Sequence, residues 1–434
     1  MRYLIFLVLV IRNLGVDPQN DEIFDWPYYP IHNFKTYNGF VDIYNGKQVI
    51  HYIFMESITN PENKPLIIQF GGGPGCSSLA GLISGIGPYV RIWGSDKMEL
   101  TENPYTLHKL GNVLYLDIPA GVGYSELHDD DYQWSDTNTG LDSYEIIKTW
   151  LNAFQNYKER DVWISGVSYS GMYIPCTAEV IVKKNKQFPE DKINLKGIMV
   201  GNGVLVNEDE FIYKWNREYL VKRNFLDLVT QNIMQISCTK YPNSASCQRA
   251  LEREKIVRKN LNPYNVYGYC YGDSSIYHKN NQRNFKDVED YSCIDDGILN
   301  NYFNNPEVKQ KLGIPEDKKW DSCNIDIFLN YKRDKHSHTL MKFLFDNNIR
   351  ILQYSGNADD VISVDYTYAS FKLIDGLTQL SRKPFANKQT QQMAGWIVEY
   401  NYLTFYIIRG AGHMVPTDQR ANTFQMYEEF LNRE

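Results

Sequence analysis

Six short apolar runs recur along the chain: Pro65 to Phe70, Asn112 to Asp117, Asp161 to Ser165, Lys196 to Val200, Ile349 to Tyr354 and Tyr402 to Ile408. Several end in Gly or Asp and lead into helical periodicity, as Asp161 to Ser165 leads into Met172 to Lys186. Strands buried on both faces read as continuous apolar runs, so the alternation predicts an α/β fold with a mostly parallel sheet covered by helices. Between Val204 and about Asn305 the pattern changes to charge-rich helical stretches, Glu208 to Gln235 and Cys247 to Lys259, with many Asn and Tyr. That segment interrupts two halves of one sheet and reads as an inserted, mainly helical cap. The expected organisation is a leader over 1–18, a first core part over 19–203, a cap over 204–305 and a second core part over 306–434. No internal repeat or low-complexity linker interrupts it.

The leader rests on Arg2, the apolar run Tyr3 to Ile11 and Arg12. This run is too short to cross a bilayer as a helix but suits the apolar part of a signal peptide. No Ala-x-Ala pattern marks a cleavage site, which is placed loosely between Gly15 and Asp21. No later segment is apolar for long enough to span a membrane, so the expectation is a protein of the secretory pathway with no membrane partner.

Seven cysteines suit such an oxidising compartment. Cys238 and Cys247 flank a short turn, and Cys270 and Cys293 bracket a polar loop, so local pairing is expected for both. Cys76 and Cys323 can join distant segments, which leaves Cys176, in an apolar helix, as the free thiol. No Asn-x-Ser/Thr sequon occurs anywhere in the chain.

At 434 residues the chain can bury a full-sized core, and 43% hydrophobic with 22% charged residues is ordinary for a globular protein. A net charge of -7 argues against nucleic acid as the main partner. The histidines are scattered and no Cys-x-x-Cys spacing occurs, so no metal site and no cofactor are expected. The 33 Tyr, 20 Phe and 8 Trp supply a large core and also suit a cleft for bulky apolar groups.

The candidate chemistry follows four of the predicted strands. Gly166-Val167-Ser168-Tyr169-Ser170-Gly171 sits between a strand and a helix, where a sharp turn holds a serine hydroxyl proud; alone, the same serine is equally a helix N-cap. Gly71-Gly72-Gly73-Pro74-Gly75-Cys76-Ser77-Ser78 lacks the Gly-Lys-Ser/Thr ending of a phosphate loop and reads as an oxyanion loop. Glycines there bring bare N–H groups to a developing negative charge, each worth about 3 kcal/mol in a transition state. Asp359 follows another apolar run, and His413 lies on a glycine turn after the last one. Singly, the first is a helix cap and the second a surface histidine. Together, the order Ser168, Asp359, His413 is that of α/β-hydrolases. Serine is a weak nucleophile that needs His413 as base and Asp359 to orient the imidazole.

The chain resembles the serine carboxypeptidase family from about Asp21 to the C-terminus, closest to its lysosomal cathepsin A branch. The resemblance rests on Gly72 to Ser78, Asp117-Ile118-Pro119-Ala120-Gly121-Val122-Gly123-Tyr124-Ser125, Gly201-Asn202-Gly203, Asn305-Pro306-Glu307-Val308 and Gly410 to Asp418. It implies an α/β-hydrolase core with a helical cap and Ser168, Asp359 and His413 as the triad. It further implies oxyanion donors in the N–H groups of Gly73 and Tyr169, and a disulfide between Cys76 and Cys323. Peptide substrates and a lysosome-like, vacuolar or extracellular location are implied too, with homodimerisation left open.

Departures from the family pattern concern substrate binding, where Gly71, Gly72, Gly85, Val167 and Met414 are the candidate residues. The family reads Trp-x-Asn before its Gly-Gly-Pro-Gly; here Gln69 and Gly71 stand at the Trp and Asn. Val167 replaces the Glu of the family's Gly-Glu-Ser, and Gly85 aligns with a second Glu. In the family those side chains hold the substrate's C-terminal carboxylate. Losing several hydrogen bonds to a charged group predicts discrimination for a free C-terminus weakened by ~4 kcal/mol, about a thousandfold. The expected enzyme is a serine carboxypeptidase-like hydrolase with an atypical carboxylate site. The alternatives are an esterase, amidase, endo-acting hydrolase or acyltransferase of the same family, and a non-catalytic binding protein.

Overall fold

All six apolar runs become strands of one large sheet. The computed structural model describes residues 15–433 apart from 25, 27, 31, 92–98, 239, 242, 260 and 269–296. Its first strands are β1 (Glu22–Ile23), β2 (Thr36–Ile43), β3 (Gln48–Met55), β4 (Leu66–Phe70), β5 (Tyr89–Arg91), β6 (Leu100–Glu102), β7 (Asn112–Leu116) and β8 (Glu126–Leu127). They are followed by β9 (Val162–Val167), β10 (Leu195–Gly201), β11 (Arg350–Gly356), β12 (Gln379–Ala386), β13 (Met393–Tyr400) and β14 (Thr404–Ile408).

The centre of the sheet runs β7-β4-β9-β10-β11-β14 and is parallel throughout. Every residue of β4, β7 and β14 is buried, as expected of strands covered on both faces. Register fixes where the strands end. Phe70 pairs with Gly166, Gly201 with both Val167 and Tyr354, and Gly356 with Ile408. The loops after β4, β9, β10, β11 and β14 therefore emerge side by side at one edge, the carboxyl edge where open α/β sheets bind ligands.

Antiparallel strands flank this centre: β1, β2, β3 and the short β8 on one side, β13 and β12 on the other. One face of the sheet packs Phe54, Trp150 and Tyr173 with the helices Asp136–Ala153 and Ser170–Gln187. The other packs Trp163, Tyr354 and Trp320 with the helix Arg420–Leu431.

Between β10 and β11 the described residues are helical and add no strand to the sheet. The single helical stretch expected over Glu208 to Gln235 is broken in two, Asp209–Lys222 and Leu228–Ile233. Asn224 takes a left-handed φ of 61°, and Asp227 caps the second helix by accepting from the Thr230 N–H. Cys76 pairs with Cys323 and Cys238 with Cys247, while Cys176 is buried and free. Cys270, Cys293 and most of the leader lie outside the described residues.

Candidate active site

Ser168 sits at the tip of the turn joining β9 to the helix Ser170–Gln187, with a left-handed φ of 65°. A non-glycine residue holds that conformation only where its surroundings over-determine it. Here the Ser168 N–H donates to Gly201 O (2.9 Å), and its carbonyl accepts from Gly171 N (2.9 Å) and Val204 N (3.0 Å). The helix itself is entered through Tyr169 without a side-chain cap, so the serine hydroxyl is not used as one.

The glycine loop crosses directly over this turn. A Cβ placed on Gly72 would lie 2.9 Å from Ser168 Cβ and 3.3 Å from Tyr169 N, so only glycine permits the approach. Among the described residues the N–H groups of Gly73 and Tyr169 donate to no protein acceptor. Two unengaged donors, one on half-buried Gly73 and one on buried Tyr169, thus flank the serine, the arrangement an oxyanion requires.

His413 and Asp359 are both buried, and His413 Nδ1 lies 2.8 Å from Asp359 Oδ2. The other carboxylate oxygen accepts from Val361 N (2.7 Å) and Ile362 N (3.3 Å), which leaves Oδ2 facing the imidazole. A strap from the inserted segment crosses both loops. Tyr264 O accepts from His413 N (2.6 Å), Pro263 O from Asp360 N (2.9 Å), and Val266 N donates to Ala358 O (2.9 Å). Next to Asp359, burial lifts the Asp360 carboxyl to about 7, although the Arg258 guanidinium 2.5 Å away pulls it down. Asp418, which accepts from Gly412 N, is also raised by burial.

The positions expected to contact substrate are brought to the same place. Gln69 pairs with Ser165, two residues before Val167, so Gln69 and Val167 share one face of the sheet. Val167 is half-buried, and Gln69 Oε1 is buried with no partner among the described residues. Gly85 lies against the loop carrying His413 and Met414: a Cβ there would stand 3.1 Å from Pro416 Cβ and 3.2 Å from Thr417 N. Gly71 is tighter still. A Cβ would fall 2.0 Å from the Cys76 carbonyl oxygen, so the loop occupies the volume a side chain would need.

Sequence reasoning missed what anchors the glycine loop. Ser77 Oγ donates to Asp117 Oδ1 (2.5 Å), and Asp117 Oδ2 lies 2.9 Å from His51 Nδ1, all three being buried. With the Cys76–Cys323 disulfide and Gly75 N to Tyr173 Oη (3.2 Å), they pin the loop from below. The only signal was Asp117 at the head of a conspicuous Gly-Pro phrase, with nothing in the sequence to pair it with His51. Asp136 was missed as well. It accepts from Tyr169 Oη (3.0 Å), Asp334 N (3.0 Å) and Lys335 N (3.1 Å), and burial raises its carboxyl to about 6.

The sheet, its carboxyl-edge loops and the order of their residues define an α/β-hydrolase. A family model described as serine carboxypeptidase matches residues 27–433. The lysosomal protective protein of Mus musculus is 32% identical over 93% of this chain and 91% of its own. Serine carboxypeptidase-like 29 of Arabidopsis thaliana is 32% identical over 92% of this chain and 85% of its own. Among solved structures, a prohormone-processing carboxypeptidase of Saccharomyces cerevisiae superposes with a TM-score of 0.74 at 18% identity, covering 96% of each chain. The chain belongs to the serine carboxypeptidase family.

Proposed function

We propose that this chain hydrolyses peptide bonds at or near a C-terminus through an acyl-enzyme, without strict need for a free terminal carboxylate. Ser168 Oγ attacks the scissile carbonyl while His413 Nε2 takes its proton. Asp359 holds the Nδ1–H tautomer and faces the imidazolium as it forms. The tetrahedral oxyanion is received by Gly73 N–H and Tyr169 N–H, and the leaving amine takes its proton from His413. Water activated by the same histidine then releases the acyl group.

The observation that carries this reading is the convergence of a left-handed Ser168, unengaged N–H groups and the buried His413–Asp359 pair at one sheet edge. The weakened requirement for a carboxylate rests on Gly71, whose side-chain volume is filled by Cys76 O, and on Val167 and Gly85, which offer no acid. In this reading the segment 204–305 is the cap that shapes the acyl-side pocket. An acidic lysosome-like or vacuolar compartment, or the extracellular space, fits the disulfides and the printed name of the mouse relative.

A fluorophosphonate tests the chemistry independently of substrate. Labelling confined to Ser168, abolished in Ser168→Ala and in His413→Ala, is the expected result. A parent protein that resists labelling across pH 4 to 8 would overturn the reading.

A further inference from the structure

The phrase Gly201-Asn202-Gly203 takes no part in the chemistry above, yet it touches the segments that carry Ser168, Asp359 and His413. Asn202 is fully buried at the end of β10, with a left-handed φ of 42°. Its Nδ2 donates to Gly412 O (3.1 Å) and His413 O (2.6 Å), and its Oδ1 accepts from Gly356 N (3.0 Å). Its own N–H donates to Tyr354 O (2.7 Å). On either side, Gly201 O and Val204 N hold the Ser168 backbone.

A single short segment therefore fixes the nucleophile turn through its main chain, and the histidine loop and the strand leading to Asp359 through one side chain. An asparagine is suited to this. It offers two donors and an acceptor in one plane, and it tolerates the left-handed region. Each of these buried groups loses the partner the amide supplies once the side chain is removed.

Resting on the serine-hydrolase reading, we propose that Asn202 is the positioning residue of the triad: its amide sets the His413 main chain, and thereby the imidazole, relative to Ser168 and Asp359. It touches no reacting atom. Displacement of a catalytic group by about 1 Å costs up to about a hundredfold in rate, which is the scale expected when the amide is lost.

Asp at 202 keeps the shape and one acceptor oxygen, but donates to His413 O only while its carboxyl is protonated. Asn202→Asp should therefore react with a fluorophosphonate at acid pH. On ionisation it should lose tenfold or more in the inactivation rate constant, a descending limb that the parent lacks. Asn202→Gly, which takes the left-handed backbone without strain, should lose a similar factor at every pH. In both variants the inhibitor's binding constant should stay within about twofold, separating misplacement of the base from loss of the pocket.

Parent-like rate constants in folded Asn202→Gly, together with no new limb in Asn202→Asp, would overturn the proposal. If Asn202→Asp fails to fold, the glycine variant alone decides by the same rate comparison, and the reverse holds for the pH limb. Failure of the parent itself to be labelled at Ser168 would instead overturn the hydrolase reading.

Discussion

His413 Nδ1 and Asp359 Oδ2 meet at 2.8 Å inside the protein, and the carboxylate's other oxygen is already engaged by Val361 N and Ile362 N. Asp359 therefore has one orientation, with Oδ2 left to His413 alone. Asn at 359 would keep the same backbone contacts but turn an N–H toward Nδ1, forcing the proton onto Nε2. The base would then be blocked without being moved. Asp359→Asn is expected to lower kcat about 10⁴-fold with the fold intact, as judged by an unchanged circular-dichroism spectrum. A loss of less than tenfold would remove Asp359 from its assigned role.

Gly71 is held by contact rather than by an unusual backbone angle. A methyl group there would meet Cys76 O at 2.0 Å, and Cys76 is tied to Cys323 and cannot give way freely. Gly71→Ala is expected to lower stability by about 1–3 kcal/mol or more, the cost of overpacking, and to slow Ser168 labelling because the displaced segment carries Gly73, the proposed oxyanion donor. Thermal melts and labelling rates on the same preparation check both.

What was legible in the sequence follows from what a short window contains. The six central strands were readable because burial on both faces makes each a continuous apolar run, and the placement of Ser168, Asp359 and His413 because each trails such a run. The antiparallel flanks were not. In β12 the segment Gln379 to Pro384 is exposed and has no alternation to detect, while β3 contains His51, whose partner Asp117 is 66 residues away. The break at Asn224 was hidden because charged and apolar residues keep helical spacing on both sides of it. The role of Asn202 was unreadable for the same reason as that of His51: its partners, Gly356, Gly412 and His413, are distant in sequence.

Burial holds the Asp136 carboxyl at about 6 against an ordinary 3.8. Between those values the folded chain binds more protons at this site than the unfolded chain, so the contribution falls as pH rises. It is fully present below about pH 4 and lost by about pH 6 to 7. Asp136→Asn removes the titration while retaining an acceptor for Tyr169. The Tm of this variant relative to the parent is expected to rise as pH goes from 4 to 7. A relative Tm that is flat or falls over that window would contradict the assignment.

Val167 is half-buried and adjacent to Ser168, and unlike Gly71 it already carries a side chain. Val167→Glu places a carboxyl where a protonated acid can share its proton with a terminal carboxylate. The variant is expected to gain about tenfold in preference for free-acid substrates at acid pH, one hydrogen bond to a charged group, and to lose the gain as the new carboxyl ionises. Parallel kcat/KM measurements at pH 4.5 and 7 on acid and amide substrates check this.

The most direct test of the account is kcat/KM for one N-blocked dipeptide presented as free acid and as amide, from acid to neutral pH. With Gly71 closed off by Cys76 O, and Gly85 and Val167 offering no acid, the two substrates are expected to turn over within about tenfold of each other. A preference for the free acid of a thousandfold or more would contradict the account, because it would require other groups beside Ser168 to hold the terminal carboxylate.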